Sequence, residues 1–185
     1  MAIIKVASSI FSTVRTITKA LKVAKTGDTI HLSEGTYNEH IEIEGTVTIE
    51  GAGTQHTCIE GSVIVKKGAS IVFENITFHP STTIQIDGNV FFNHCDISTS
   101  HVRTLLCVSG TLDIKHSIVS GAKEIGIELR PNAQLTIDQC AIYSNGKANI
   151  LADHATVDMY NSTTHSANHA IWLKNNSTLH STKNK

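Results

Sequence analysis

From residue 70 onward, the sequence repeats one short pattern of apolar and polar positions. Two apolar residues two apart are followed by two polar residues and then by a small or apolar residue that opens another alternating run. Successive repeats are separated by 19, 22, 23 and 22 residues, and their leading apolar residues are Ile71, Val90, Leu112, Leu135 and Val157. A period of about 22 residues is typical of a solenoid in which each repeat forms one coil.

Each coil is predicted to contain three short strands, with glycine, proline and asparagine mostly at the joints. In the coil around residue 135 the inward pairs, from the first to the third strand, are Ile127/Leu129, Leu135/Ile137 and Cys140/Ile142. The other first strands have inward residues at Ile41/Ile43, Val63/Val65, Ile84/Ile86, Leu105/Cys107, within residues 148–151, and at Ile171/Leu173. Leucine-rich repeats share this period, but their LxxLxLxxN pattern is missing.

Residues 8–25 are predicted to form an amphipathic helix ahead of the coils. Their apolar residues recur at intervals of 4, 3, 4 and 3, namely Ile10, Val14, Ile17, Leu21 and Ala24. We expect Ser8 or Ser9 to cap the start and Gly27 to follow the end as the C′ residue. Such a helix covers the apolar end and the open strand edges of the first coil.

Three motifs follow this helix: GDTI from Gly27, GTYxExI from Gly35 and VTIxGxG from Val47. Together with Thr16-Ile17 and Ala20-Leu21, they resemble the N-terminal part of pectin-lyase-like right-handed parallel β-helix proteins, which include pectin methylesterases. The resemblance implies an all-β fold, a right-handed single-stranded parallel β-helix of about 6–7 coils with an N-terminal amphipathic capping helix. We expect one domain over residues 1–185, with the coils in residues 28–182.

Composition narrows the possible partners. The 185 residues are 40% hydrophobic and 17% charged, which suits one domain, and the net charge of −1 gives no basic field for nucleic acid or an anionic membrane. The first 22 residues contain no unbroken apolar run for a signal peptide or a membrane span.

Cys95 and Cys140 occupy one column two coils apart, about 10 Å, which is too far for a disulfide. We therefore expect a cytoplasmic protein whose cysteines are small buried residues.

One polar column lies at the corner after the second strand. Its members are Asn75, His94, His116, Gln139 and Asn161. Such stacked side chains can bond to neighbouring coils and satisfy buried backbone groups, and the column resembles the inward asparagine ladder of β-helices.

Of the 11 histidines, His165 and His169 share a loop without a nearby Cys, Asp or Glu, so we expect no metal site and no cofactor.

The outward side of the first strand is where pectin-active relatives hold substrate. Alternation predicts the outward column Glu42, Ile64, Gln85, Leu106, Glu128, Ile150 and Trp172, with the register least defined at Leu106 and Ile150. Its two glutamates lie four coils apart, roughly 19 Å, whereas glycoside hydrolysis needs carboxylates about 5 to 9.5 Å apart.

The enzyme motifs of the resembled families are largely missing. The GxYxE element matches Gly35, Tyr37 and Glu39 but belongs to the scaffold. The later glutamine, aspartate and arginine motifs have no counterpart, and Arg103 and Arg130 have no aspartate cluster one coil away. We expect no catalytic residues, and the sequence disfavours an enzymatic function.

The sequence instead favours a non-catalytic interaction module that binds a protein partner or a second copy. The expected interface patch on the first-strand face consists of Ile64, Leu106, Ile150, Trp172, Glu128 and Arg130. A shift of register would return some of its apolar members to the core. The alternative is a polysaccharide-binding or polysaccharide-active protein that uses Glu128, Arg130 and Trp172 on the same face. The polar residues 175–185 either cap the last coil or leave it to abut another copy or domain.

Overall fold

The computed structural model describes residues 2–7 and 14–184. Within them the chain forms one helix, α1 (Ile17–Val23), and a series of short strands. The helix lies between the first two strands, which are β1 (Ile3–Val6) and β2 (Asp28–Leu32). The following strands are β3 (Gly35–Ile43), β4 (Thr46–Glu50), β5 (Thr57–Val65), β6 (Ser70–Glu74), β7 (Thr77–Pro80), β8 (Ile84–Ile86), β9 (Asn89–Asn93), β10 (Asp96–Ser98), β11 (Thr104–Val108), β12 (Thr111–Lys115), β13 (Ile118–Ser120), β14 (Ile125–Leu129), β15 (Gln134–Asp138), β16 (Ala141–Tyr143), β17 (Ala148–Asp153), β18 (Thr156–Tyr160), β19 (Thr163–His165), β20 (His169–Lys174) and β21 (Thr178–Thr182).

These strands build a parallel β-solenoid of about 8 turns rather than the predicted 6–7 coils. The second strands form a nine-stranded sheet in the order β1-β2-β4-β6-β9-β12-β15-β18-β21. The third and first strands share a twelve-stranded sheet, because the long strands β3 and β5 run through both positions. Strand β1 was not predicted, since its four residues are too short a run to show the repeat.

The predicted columns are confirmed by the pairing of successive coils. Leu112 is the direct partner of Val90 on one side and of Leu135 on the other, and Ile71 and Val157 extend the same column. These inward residues are buried along the whole column. A cluster of three buried phenylalanine rings, with centroids 5.1 to 5.4 Å apart, fills the middle of the core and consists of Phe73, Phe78 and Phe92.

The polar column at the corner lies in register, but its expected inward direction is wrong. All five members have left-handed backbone conformations with φ between 48° and 58°: Asn75, His94, His116, Gln139 and Asn161. This conformation turns the chain sharply and carries the side chain outward, so four of the five are exposed and Asn75 is half-buried. The His94 and His116 rings stack outside the corner at 4.6 Å.

Small buried residues one position later perform the role expected of the ladder. The Ser117 and Ser162 hydroxyls accept hydrogen bonds from the backbone N–H groups of Cys95 and Cys140 one coil earlier, at 2.9 and 3.0 Å. Burial raises the pKa of the Cys95 thiol to about 12 and that of Cys140 to about 11, so both thiols stay protonated and donate to backbone carbonyls. All four cysteines of the chain are unpaired.

The capping helix is present but shorter than predicted. It begins after Thr16, whose hydroxyl accepts from the Lys19 N–H at 3.2 Å, and its C-cap is Ala24, so Gly27 is not the C′ residue. Residues 14–16 precede the helix, and the predicted caps Ser8 and Ser9 lie outside the described residues. Ile17 and Ala20 are fully buried against the first coil. None of the helices in the described part of the chain is long and apolar enough to span a bilayer.

Glu39 ties this helix to the coils. Its carboxylate accepts from the backbone N–H groups of Ile17 and Thr18 at 2.8 and 3.0 Å and from the Thr18 hydroxyl at 2.8 Å. The Tyr37 hydroxyl lies 3.2 Å from the Val6 carbonyl and 2.9 Å from the Ser33 carbonyl. The Tyr-x-Glu part of the motif therefore fastens the helix and strand β1 to the first coils.

We expect Glu39→Gln to lower the free energy of unfolding by about 1–3 kcal/mol, because the amide keeps one acceptor and loses the charge. The measurement is urea unfolding followed by circular dichroism. Glu44→Gln is the matched control, since Glu44 is exposed and its change should stay within about 0.5 kcal/mol. Equal losses in the two variants would contradict the role given to Glu39.

Gln139→Val should destabilise the protein by about 1–2 kcal/mol, because a β-branched residue fits poorly at positive φ. Gln139→Asn should be neutral or stabilising. Gln134→Val provides the control within the same coil, because Gln134 lies exposed on strand β15 where valine is favoured. A loss of stability at position 134 but not at 139, in the same unfolding assay, would refute the corner assignment.

Candidate functional site

The first-strand face is the side on which the sequence predicts the binding patch. Direct pairing gives the observed outward column as Glu42, Ile64, Gln85, Cys107, Glu128, Leu151 and Trp172. The prediction is therefore wrong for Leu106 and Ile150, which are 0% exposed and belong to the core. Leu106 pairs with the inward residues Ile84 and Ile127.

The error has a simple physical cause. Strands β11 and β17 are apolar or small at nearly every position, so their sequences do not alternate and do not reveal which side faces inward. Cys107 and Leu151 occupy the outward positions that were predicted for Leu106 and Ile150, and each is only 8% exposed. The outward column is consequently less apolar than predicted.

Charged side chains cover much of this face. The Arg130 guanidinium lies 3.3 Å from the Glu128 carboxylate, and its Nε donates to the Cys107 sulfur at 3.4 Å. A second cluster of ion pairs lies just before the first strands, where Lys147 and Arg103 contact the Glu124 carboxylate at 2.9 and 2.6 Å. Arg130 and Glu128 thus lie together as predicted, and they shield the outward cysteine from solvent.

Three acids on or beside this face have a lowered pKa. Hydrogen bonds from Lys147 and then Arg103 lower the pKa of Glu124, and those from Asn175 and His154 lower the pKa of Asp153. At the other end of the column, hydrogen bonds from His40 and Lys66 lower the pKa of Glu42. A general acid at neutral pH needs a raised pKa, so these three groups are suited to ion pairs rather than to proton donation.

Trp172 lies at the end of the outward column and is 37% exposed. The Lys174 ammonium lies 4.1 Å from the centre of the indole ring, in a cation–π contact. The His169 ring lies 5.0 Å away. His165, by contrast, stacks on Tyr143 in a different column, so the two loop histidines do not converge.

The last coil leaves inward-facing apolar residues exposed. Leu173 and Leu179 are 39% and 37% exposed, whereas their partners one coil earlier, Ala152 and Val157, are fully buried. Among the described strands, β20 and β21 pair only with β17 and β18, so one edge of each is unpaired.

The polar residues after β21 cover only part of this coil. The Asn184 side chain accepts from the Ser162 N–H at 2.8 Å and donates to the Met159 carbonyl at 2.7 Å. It thereby satisfies two backbone groups at the corner after strand β18. Leu173 and Leu179 remain exposed. The segment therefore caps a corner and leaves the apolar centre open.

A separate cluster lies on the outward side of the third strands, where Cys58, Glu60 and His79 bring their ligand-type atoms within 4.8 Å of one another. Cys58 and Glu60 are two apart on β5, and His79 is the direct partner of Glu60 on β7. The sequence analysis missed this group, although Cys-x-Glu followed by His one coil later is a readable signal.

Comparisons with known proteins agree with this architecture. The family model described as a right-handed β-helix region matches residues 12–185. A search of curated proteins finds no sequence match. Among solved structures, the chain is similar to pectin methylesterase PemA from Erwinia chrysanthemi, with a TM-score of 0.67 and 11% identity over 85% of this chain and 66% of that one.

Two further structures are similar. A pectin methylesterase in complex with a hexasaccharide gives a TM-score of 0.67 and 12% identity over 85% of this chain and 66% of that one. Pectate lyase Pel9A gives 0.57 and 16% identity over 90% of this chain and 54% of its own. The chain thus spans just under two thirds of these two methylesterases, and structural similarity at identities this low shows a shared fold alone.

Proposed function

Because the chain belongs to the right-handed β-helix family, which stacks its coils into a rigid frame, we propose that it is a non-catalytic interaction module that binds a second copy of itself through its last coil. The observation that carries the proposal is the exposure of Leu173 and Leu179 at positions that are buried in the coil before. Trp172 lies beside them on β20, at the end of the first-strand face. Together they form what we call the open-end surface, defined by Trp172, Leu173 and Leu179.

The backbone supports the same proposal. Strands β19, β20 and β21 each have a neighbour on one side only, so the end of the solenoid offers three unpaired edges at fixed separations. A partner must match these edges and cover the leucines between them. A second copy of the same coil has this cross-section, and a two-fold axis through the end would pair each molecule with the same surface of the other.

The charges of the first-strand face support a non-catalytic role. Hydrogen bonds from neighbouring side chains lower the pKa values of Glu124, Asp153 and Glu42, which suits these carboxylates to ion pairs rather than to proton donation. Glu42 and Glu128 are four strands apart in the column, roughly 19 Å, too far to act as a pair. The unpaired cysteines fit a reducing, cytoplasmic setting.

We expect the 185-residue chain to show a concentration-dependent dimer in sedimentation velocity. Trp172→Ser and Leu179→Ser should each weaken it by at least about tenfold, because central apolar residues dominate such interfaces. Tyr160→Ser is the matched control, since Tyr160 is 38% exposed but lies one coil further in. A protein that stays monomeric up to millimolar concentration, or a dimer unaffected by both serine variants, would overturn the proposal.

A second candidate function, the binding of an acidic polysaccharide, is favoured by one feature of the same face. Exposed Trp172, with Lys174 and His169 beside it, is followed along the coils by Arg130, Lys147 and Arg103. An indole flanked by cations can stack on a sugar ring and pair with carboxylates. The similar structures include a pectin methylesterase bound to a hexasaccharide.

A uronate-rich glycan array distinguishes the two functions. If polysaccharide binding is correct, the wild-type protein binds uronate oligosaccharides, Trp172→Ser removes the signal, and Leu179→Ser keeps it, because Leu179 lies on the other sheet. Self-association, in contrast, requires both residues. Absence of wild-type binding to every uronate glycan would exclude this second function.

A further inference from the structure

The Cys58 cluster lies on the outward side of the third strands, in a different part of the solenoid from the open-end surface. Cys58 and Glu60 point to the same side of β5 because they are two residues apart. Glu60 and His79 are direct partners on adjacent parallel strands. Since the strands are fixed by the parallel ladder, the three side chains converge without any movement of the backbone.

We propose that Cys58, Glu60 and His79 form a binding site for a divalent transition metal, with Zn²⁺ as the best match. The cluster contains one thiol, one carboxylate and one imidazole, all of which are zinc ligands. Ca²⁺ and Mg²⁺ fit less well, because they need several oxygen ligands.

The distances agree with this assignment. The Cys58 Sγ and His79 Nδ1 atoms lie 3.7 Å apart. Two such ligands in a tetrahedral zinc site, with bonds of about 2.3 and 2.0 Å, are separated by roughly 3.6 Å. The three ligand atoms all lie within 4.8 Å of one another, so one ion can contact all of them after small rotations of the side chains.

The surroundings favour a cation and give it access. Cys58 and Glu60 are half-buried and His79 is exposed, so an ion can enter from solvent. Asp96 lies on β10, the strand beside β7, and its Oδ1 atom is buried with no hydrogen-bond partner among the described residues. This unpartnered carboxyl lies on the same side of the sheet as the cluster.

The backbone around the cluster is closely packed. Gly61 follows Glu60 with φ of 98°, and a Cβ at this position would lie 2.3 Å from the Glu39 carbonyl oxygen, so β3 and β5 approach closely here. Glu60 and His79 also line a cleft of about 620 Å³ that extends to Ser98 and His101. A fourth ligand, either water or a group of a bound molecule, has room on that side.

The test is titration of the reduced 185-residue chain with Co²⁺, followed by absorption spectroscopy and by competition with Zn²⁺. The proposal requires one tightly bound ion per chain and a thiolate-to-cobalt charge-transfer band that Zn²⁺ removes. Cys58→Ser should abolish the band and, like His79→Asn, weaken binding by at least about tenfold. His165→Asn is the matched control, because His165 lies in the same outward column four strands away and contacts Tyr143.

A second readout does not depend on removing the cysteine. Cys58 is the more accessible thiol, since Cys95, Cys107 and Cys140 are buried, so alkylation by iodoacetamide reports on it. Zn²⁺ should slow this reaction at least tenfold in the wild-type protein and in His165→Asn, but not in His79→Asn. A wild-type protein without the charge-transfer band, or a Cys58→Ser variant that binds within twofold of wild type, would overturn the site.

Discussion

The parallel backbone hydrogen bonds between each strand and its equivalent one coil later determine the position of the side chains on the described strands. They place Leu112 directly between Val90 and Leu135 and repeat that relation along three sides of the solenoid. Because side chains alternate between the two faces of a strand, a slip of one residue would exchange the core with the surface. The ladder therefore fixes which groups can ever meet: neighbours in a column lie about 4.8 Å apart, and groups several coils apart cannot cooperate.

This constraint explains how much of the structure the sequence predicted. The period and the columns followed from apolar residues that alternate with polar ones, as in strand β15 with Leu135 and Ile137. The prediction failed where that contrast is absent. Leu106 and Ile150 stand in apolar strands, and only the pairing with their neighbours shows that they face inward.

The corner after the second strand presents a different limit. The polar residues of that column were identified correctly, but their side-chain direction depends on a positive φ that polarity alone does not reveal. Asparagine tolerates this conformation best, yet His116 and Gln139 adopt it too. Inside the corner, cysteine and serine alternate at one position, and their shared feature is a small side chain that can bond to a backbone group. Apolar burial was therefore an incomplete description of Cys95 and Cys140.

The two ends of the solenoid are built differently. Helix α1 packs Ile17 and Ala20 onto the first coil and is held there by Glu39, whereas Leu173 and Leu179 lie bare at the far end. A rod that binds through both ends can add subunits indefinitely and grow into a filament, whereas a rod that binds through one end closes into a head-to-head pair. If pairing occurs through the open-end surface as proposed, the three hydrogen bonds of Glu39 hold helix α1 over the first coil and favour the closed pair over continued polymerisation.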